Sequence, residues 1–225
     1  MEITWLGQGG FLFELGDTKI IIDPYLSDSC EKVNPKSKRR FEVDKRFLDL
    51  CPDVLILTHN HLDHTDPETL DIYLNKGKPI TVLASGNAWA SVRKYGGDHN
   101  YVLFNEGTEF TVCGVTFKAI YAEHSDDKAV GVLFKLDGKN YFATGDTLYN
   151  EKILKQLPRN IYALFLPING KGNNMNAIDA KRFAVRTKAK KVVPCHFSLF
   201  DDIKADEVFD LPNAVIPKPF EKIEI

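Results

Sequence analysis

The sequence predicts an α/β fold of four layers, in which two β-sheets stack on each other and helices cover both outer faces. Short apolar runs of strand length alternate with turn residues, and strands followed by helices occur twice along the chain. Each sheet and each helix must bury one apolar face, and the stacking order αββα buries all of them. The 225 residues, 44% of them hydrophobic, suffice for one well-filled core, so we predict a single domain over 1–225.

The first half of the chain predicts five strands and two helices. Glycine-containing turns separate the first three strands, and the polar residues 24–47 predict a long irregular loop. Asp66-Pro67-Glu68 predicts a helix start, because Asp caps, Pro suits the first helical position and an acid favours the first turn. The predicted strands cover 3–6, 11–15, 19–23, 53–58 and 80–84, and the predicted helices cover 67–76 and 87–94.

The second half begins with a run of strands and ends with strands and helices in alternation. Asp137-Gly138 predicts a hairpin turn. A helix after residue 176 has small and apolar residues at the spacing i, i+3, i+4 and i+7, which predicts one buried face. The predicted strands cover 101–104, 109–113, 115–122, 130–136, 141–143, 162–166 and 191–194, and the predicted helices cover 151–156 and 177–188.

The charge balance sets limits on partners. The formal net charge is -2, so no overall field favours nucleic acid or an anionic membrane surface. No basic leader and no apolar run of membrane-spanning length is visible, which predicts a cytoplasmic protein without a membrane partner. The four cysteines form no C-x-x-C pair and predict reduced thiols, with Cys195 in a packing role.

Three histidines and an aspartate stand together directly after the predicted strand 53–58, at His59, His61, Asp63 and His64. Imidazoles and carboxylates so crowded need hydrogen-bond partners or a cation. Alternate residues of an extended segment project to one side, so the first two histidines can hold one ion while Asp63 and His64 face a second position. A helical zinc site needs histidines four residues apart and is excluded. The alternative is a solvated, histidine-rich turn.

Three further candidate ligands each follow a predicted strand, at His124, Asp146 and His196. Each taken alone could be an ordinary polar group at a strand end or a turn. Loops from one sheet edge can converge on one point, however, and five histidines with two aspartates are enough for two divalent ions. His99 does not follow a strand in this way, so we leave it out.

The ordered set H-x-H-x-D-H followed by His124, Asp146 and His196 resembles the metallo-β-lactamase superfamily, whose αββα sandwich holds metals at one edge of the two sheets. Further segments look more particularly like the branch that contains L-ascorbate-6-phosphate lactonase. The resemblance covers about residues 1–200, and the chain is shorter than those lactonases. The segments that carry it are Trp5–Phe11, Leu57–His64, Glu123–Asp126, Gly145–Thr147, Leu166–Gly170 and Pro194–Phe197.

The resemblance implies two divalent ions and a role for each candidate ligand. One ion would be held by His59, His61 and His124, the other by Asp63, His64 and His196, with Asp146 bridging them. Asp63 would also be catalytic, by orienting the attacking water or relaying its proton. Imidazole and carboxylate suit Zn, Mn or Fe. The branch resemblance favours Mn, and ligand chemistry alone favours Zn.

The leading functional hypothesis is hydrolysis of a lactone or ester of a small sugar-acid-like molecule, phosphorylated or not. The same chemistry could cleave a phosphodiester in a nucleotide or RNA, although the absence of a basic arm argues against long nucleic acids. A di-iron redox role is disfavoured, because no flavin domain follows residue 200 and His61 stands where that branch carries Glu. A non-catalytic metal-binding module is the fourth alternative.

Two loops are candidates for substrate binding. The loop 167–176 is rich in Gly and Asn and could present Asn169 and Lys171 to an anionic small molecule, or it could be a plain connection. The basic run Lys36–Arg40 could be a solvated face or could hold an anionic substrate. The sequence is also compatible with an oligomer.

Overall fold

The computed structural model describes residues 1–225 and contains two six-stranded β-sheets, each with its strands in chain order. The first sheet is formed by β1 (Glu2–Gly7), β2 (Gly10–Leu15), β3 (Thr18–Ile22), β4 (Val54–Leu57), β5 (Thr81–Ala84) and β6 (Asn100–Leu103). The second sheet is formed by β7 (Glu109–Val112), β8 (Val115–Tyr121), β9 (Val130–Leu136), β10 (Lys139–Ala143), β11 (Ile161–Pro167) and β12 (Lys191–Cys195).

Seven α-helices accompany the sheets. They are α1 (Ser29–Val33), α2 (Lys45–Leu48), α3 (Pro67–Leu74), α4 (Gly86–Val92), α5 (Glu151–Gln156), α6 (Ala177–Thr187) and α7 (Ala205–Val208). Short 3-10 turns cover Pro35–Ser37 and Arg93–Tyr95. None of the helices is long and apolar enough to cross a membrane.

Apolar side chains of the first sheet divide between its two faces with a period of two, as the pleat requires. In β3, Ile20 and Ile22 join a core of 39 buried residues shared with the second sheet, whereas Ile21 faces the other way. That opposite face packs against α3 and α4, through buried residues that include Leu70 and Tyr73. With α5 and α6 against the second sheet, the order is αββα, and the predicted fold class is confirmed.

The sequence located every strand, with boundary shifts of one or two residues. The prediction that 24–47 is an irregular loop is wrong, because this segment contains α1, α2 and the 3-10 turn at Pro35–Ser37. The side chains of Asn34 and Asp44 each accept a backbone N–H two residues ahead and thereby start two of these turns. Residues beyond 200, for which the sequence predicted no element, form α7 and return to both sheets by single bridges.

Replacing Phe165 by Ala should lower the free energy of unfolding by about 3–5 kcal/mol, because it empties the space between the sheets. The Phe165 ring is fully buried, with its centroid 4.8 Å from that of Phe11 and 5.6 Å from that of Phe13. Denaturant unfolding measures the change. Ile178→Ala, at a position 74% exposed on α6, is the matched control and should leave stability unchanged. Equal stability of the two variants would contradict the packing described.

Strand direction determines where the site forms. In the first sheet β1, β3 and β4 run in the same direction. In the second sheet β8, β10, β11 and β12 do so. All of these strands therefore present their carboxyl ends at one edge of their sheet, where binding sites of layered α/β folds usually lie. Each candidate ligand follows one of these ends.

Candidate metal centre

The structure brings the seven candidate ligands of the sequence together at this common edge. The ligand atoms of one group lie within 4.8 Å of one another, and so do those of a second group. The first group is His59, His61 and His124, and the second is Asp63, His64 and His196. These two groups contain the same residues as the two ligand sets implied by the resemblance.

Asp146 stands beside both groups. Its Oδ1 lies 3.3 Å from His64 Nε2, and its Oδ2 lies 3.1 Å from His196 Nε2. The charge of Asp146 also raises the pKa values of His59 and His124, and so partly counteracts the lowering caused by burial. Asp146 therefore approaches two histidines of the second group closely and also acts electrostatically on two histidines of the first group.

The surroundings of His59 Nε2 indicate whether a cation fits within the first group. The Thr58 hydroxyl donates to Asp23 and lies 3.0 Å from His59 Nδ1, so this ring nitrogen carries the proton and donates to Thr58. The opposite nitrogen, Nε2, then has a free lone pair. It is buried without any hydrogen-bond partner, and the ring centroids of His61 and His124 lie 4.7 and 4.6 Å from the centroid of the His59 ring. A cation held by three imidazoles satisfies this orphaned acceptor.

The protonation preferences of the two groups differ. Burial lowers the pKa of His59 and of His124, which keeps both rings in the neutral form that ligates cations. Burial also lowers the pKa of His64 and of His196, but the neighbouring carboxylates together outweigh it, with Asp146 the strongest of them. Both pKa values are therefore raised, that of His196 to about 9. The first group thus consists of three imidazoles, whereas the second group lies among carboxylates.

Asp63 and Asp146 are both ionised at neutral pH. Burial opposes this, but the neighbouring His64 and His196 hold the pKa of each carboxyl well below its usual range. Two ionised carboxylates close to five imidazoles form an oxygen and nitrogen donor set typical of Zn, Mn or Fe. The residues present therefore fit a divalent metal centre.

Asp23 supports the centre and was missed by sequence reasoning. Its Oδ1 accepts the Thr58 backbone N–H at 2.8 Å, and its Oδ2 lies 2.8 Å from His64 Nδ1. The potential ligand atoms of Asp23, His59 and His64 also lie within 4.8 Å of one another. Its two oxygens are already used to orient these residues, so we assign it a supporting role, as carboxylates commonly have behind metal-bound histidines. Its position directly after β3 was the available signal.

Asp23→Asn should weaken binding of Zn or Mn about 10- to 100-fold, because it removes the charge that orients and polarises His64. Competition with a chelator measures the affinity. Asp53→Asn is the control, since Asp53 lies at the opposite end of β4, where it accepts from Lys19 N and pairs with Lys78. Equal metal affinities of Asp23→Asn and the unmodified protein would remove Asp23 from the centre.

The turn between β1 and β2 was also missed as part of the site. Gln8 Nε2 donates to Asp63 Oδ2 at 2.8 Å, and the Gln8 carbonyl accepts the His196 backbone N–H at 2.9 Å. A Cβ on Gly9 would lie 2.7 Å from His64 Cε1, so only glycine fits beside this ring. The glycine-rich sequence of this turn signalled its shape but not its contacts.

Two other side chains hold the loops of the site. Asn174 donates to Asp146 Oδ2 at 2.8 Å and accepts the Thr147 backbone N–H at 3.0 Å. Asp126 accepts the backbone N–H of Asn60 at 2.8 Å, between His59 and His61, and is therefore a fixed point for the first group. Both residues are buried.

A cavity of about 280 Å³ opens beside the candidate ligands, and one of its twelve lining residues is hydrophobic. Its floor consists of candidate ligands, and its walls come from the turn after β1, from the segments 36–37 and 200–201, and from the loop after β11. The lining residues are Gln8, Lys36, Ser37, His61, Asp63, Asp146, Asn169, Lys171, Gly172, His196, Phe200 and Asp201.

The predicted substrate contacts Asn169 and Lys171 both line this cavity. Asn169 also lies 2.9 Å from His196 Nδ1, through its side-chain amide, so it orients this ring as well. Residues of the basic run Lys36–Arg40 have different surroundings. Lys36 lines the cavity, whereas Arg39 is buried, lies over the Tyr25 ring and donates to the Tyr25 carbonyl. His99 lies elsewhere, within hydrogen-bond distance of the backbone of Leu74 and Ile80.

A two-sheet α/β sandwich with histidine and aspartate clusters at one edge defines a class of metal-binding proteins. The family described as "Beta-lactamase superfamily domain" matches residues 2–196. The chain belongs to this metallo-β-lactamase superfamily.

Relatives of similar length extend the assignment to activity. The chain is 32% identical to a UPF0173 metal-dependent hydrolase of Ligilactobacillus salivarius, over 98% of this chain and 100% of the relative. It is 32% identical to a UPF0173 metal-dependent hydrolase of Korarchaeum cryptofilum, over 91% of this chain and 86% of the relative. The solved structure of Igni18, a metallo hydrolase of Ignicoccus hospitalis, superposes with a TM-score of 0.77 at 22% identity, covering 98% and 96% of the two chains. The chain is thus a metal-dependent hydrolase.

Proposed function

We propose that this hydrolase opens the lactone or ester bond of a small, polar, sugar-acid-like molecule. The cavity carries the proposal, because it is small, has one hydrophobic residue among its twelve lining residues and adjoins the candidate ligands. Its volume of about 280 Å³ lies at the lower end of the range for small-molecule sites, which suits a molecule of sugar size. The resemblance to the branch of L-ascorbate-6-phosphate lactonase points to the same bond type.

We assign His59, His61 and His124 to one divalent ion, and Asp63, His64 and His196 to another, with Asp146 between them. Zn or Mn, or also Fe, would polarise the scissile carbonyl and make hydroxide available near neutral pH. His59 and His124 supply neutral imidazole donors. Asn169, Asp23 and Thr58 keep the rings of the histidines that they contact turned toward the centre. These orienting contacts fix the geometry before a substrate arrives.

Asp63 has the exposure that a catalytic group needs. Its side chain is 20% exposed and lines the cavity, whereas Asp146 is 6% exposed. Gln8 holds Asp63 Oδ2, and the ionised carboxylate can accept a hydrogen bond from water and orient it toward a carbonyl carbon in the cavity. The proton taken from this water can then pass to the leaving alcohol oxygen.

The same candidate ligands could also support hydrolysis of a phosphodiester, so the type of bond that is cleaved must be tested directly. Metal-loaded protein should hydrolyse glucono-δ-lactone with a kcat/KM at least about 100-fold above that for bis(p-nitrophenyl) phosphate, because a cavity of about 280 Å³ suits one sugar-sized molecule better than a diester with two aryl groups. A preference for the phosphodiester would reverse the proposal. Unchanged turnover in both His59→Ala and Asp63→Ala would leave only a non-catalytic metal-binding role.

A further inference from the structure

We propose that Lys36, Ser37 and Lys171 form an anion-binding subsite, so that the substrate carries a phosphate or carboxylate group distant from the bond that is cleaved. This inference rests on the proposed function, since it describes the substrate of the same cavity. It goes beyond that function by naming the charge of the substrate and the side chains that recognise it.

The subsite is built from two separate segments that meet at one cavity. Lys36 and Ser37 come from the 3-10 turn Pro35–Ser37, and Lys171 comes from the loop after β11. The same cavity has Asp63 and His196 in its floor. Because its volume is only about 280 Å³, one molecule of sugar size can reach both the floor and the lysines.

Neither lysine has a partner within the protein. No carboxylate oxygen lies within 4.0 Å of Lys36 Nζ or Lys171 Nζ, whereas Lys32 and Arg40 nearby pair with Glu68 and Asp202. Unpaired surface lysines are common, but two that face the same small polar cavity give it a positive wall. That wall is opposite in charge to a phosphate or a carboxylate.

Asp201 also lines the cavity but forms no ion pair with Lys36 or Lys171. Asp201 Oδ1 accepts the backbone N–H groups of Ser198 at 2.9 Å and Ile203 at 3.1 Å, so it fixes its own turn. Gly172, the residue after Lys171, also lines the cavity and adds a donor, because its backbone N–H donates to no protein acceptor. Free amides and ammonium groups together form the environment that binds oxyanions.

The lysines add a positive charge at a part of the cavity that holds no candidate metal ligand. Two divalent ions would carry four positive charges against the two negative charges of Asp63 and Asp146, so the loaded centre would also attract an anion, and the lysines decide which end of the substrate carries it. A positive wall across the cavity attracts the anion and also sets its orientation, with the charged end at the lysines and the reactive carbonyl toward the floor. Neutral lactones would bind without this orientation.

The test compares Lys36→Gln, Lys171→Gln and the double variant with Lys38→Gln as matched control. Lys38 belongs to the same basic run but lines a different depression, with Asp28 and Glu31. Calorimetry on metal-loaded protein measures binding of glucose 6-phosphate, gluconate and glucose. None of these probes is turned over by a lactonase, so failure of the proposed lactone hydrolysis would not alter the binding result.

We expect glucose 6-phosphate or gluconate, whichever anion the subsite accepts, to bind at least about tenfold more tightly than glucose, which lacks the charge. Preference for the former identifies phosphate and preference for the latter identifies carboxylate. Each single variant should weaken binding of the preferred anion about tenfold, the double variant more, and Lys38→Gln less than twofold. Equal binding of the three probes, or an unchanged affinity in the double variant, would overturn the subsite.

Discussion

Asp146→Asn should lower kcat/KM about 1,000-fold and reduce the metal content of the purified protein. The Asp146 carboxylate lies 3.3 Å from His64 Nε2 and 3.1 Å from His196 Nε2, and its charge also acts on both His59 and His124. Asn keeps the shape and the contact with the Asn174 amide region but removes the charge that a pair of cations requires. A loss of about 4 kcal/mol of transition-state stabilisation corresponds to this factor.

Steady-state kinetics and elemental analysis of the same preparation measure the two effects together. Asp127→Asn is the control, because Asp127 is exposed, follows the buried Asp126 and pairs with Lys128 at 3.1 Å outside the cavity. Its metal content and kcat/KM should be those of the unmodified protein. A fully loaded and fully active Asp146→Asn protein would exclude the bridging role.

Asp63→Asn should lower kcat about 100- to 1,000-fold at saturating metal, with KM changed less than about threefold. The carboxylate lines the cavity and is ionised, so it is placed to orient the attacking water and take its proton, and an amide cannot take that proton. General acid-base groups typically contribute factors of 100 to about 10,000. Titrating each variant with Zn or Mn separates this effect from weaker metal binding.

The neighbouring amide provides a graded comparison. Gln8→Ala removes the hydrogen bond of 2.8 Å to Asp63 Oδ2 and leaves the carboxylate in place. We expect kcat to fall only about tenfold, which is the loss expected for one hydrogen bond to a charged group. If Asp63→Asn cost no more than Gln8→Ala, Asp63 would be a metal ligand without a proton-handling role.

The candidate ligands could be named from the sequence because each follows a strand whose apolar pattern is legible. The crowding of His59, His61, Asp63 and His64 within six residues identified the edge, and parallel strands then brought His124 and its counterparts from the second sheet to it. Both the fold class and these positions depend on local patterns, which a single sequence displays.

The supporting residues could not be named in the same way. Gln8 touches the site because β1 and the residue after β12 meet, nearly 190 positions apart along the chain. Asp23 depends on β3 lying beside β4, and a lone aspartate after a strand is a common turn residue. Such contacts arise from strand pairing, which has no local signature.

The short helices of 24–47 escaped prediction for a related reason. Helices of four or five residues have too few positions for a periodic apolar face. The buried Tyr25 and Cys30 pack with Leu199 from the other end of the chain, so the apolar partner is invisible locally. The same segment supplies Lys36 to the cavity, and substrate specificity was therefore the least predictable property.

Anomalous X-ray diffraction from crystals grown with Zn or Mn, recorded above and below the metal absorption edge, tests the metal centre most directly. We expect one anomalous peak among His59, His61 and His124 and a second among Asp63, His64 and His196. In Asp146→Asn at least one peak should weaken. Metal-loaded crystals that diffract well but have no anomalous density among these side chains would contradict the proposed centre and the hydrolytic mechanism derived from it.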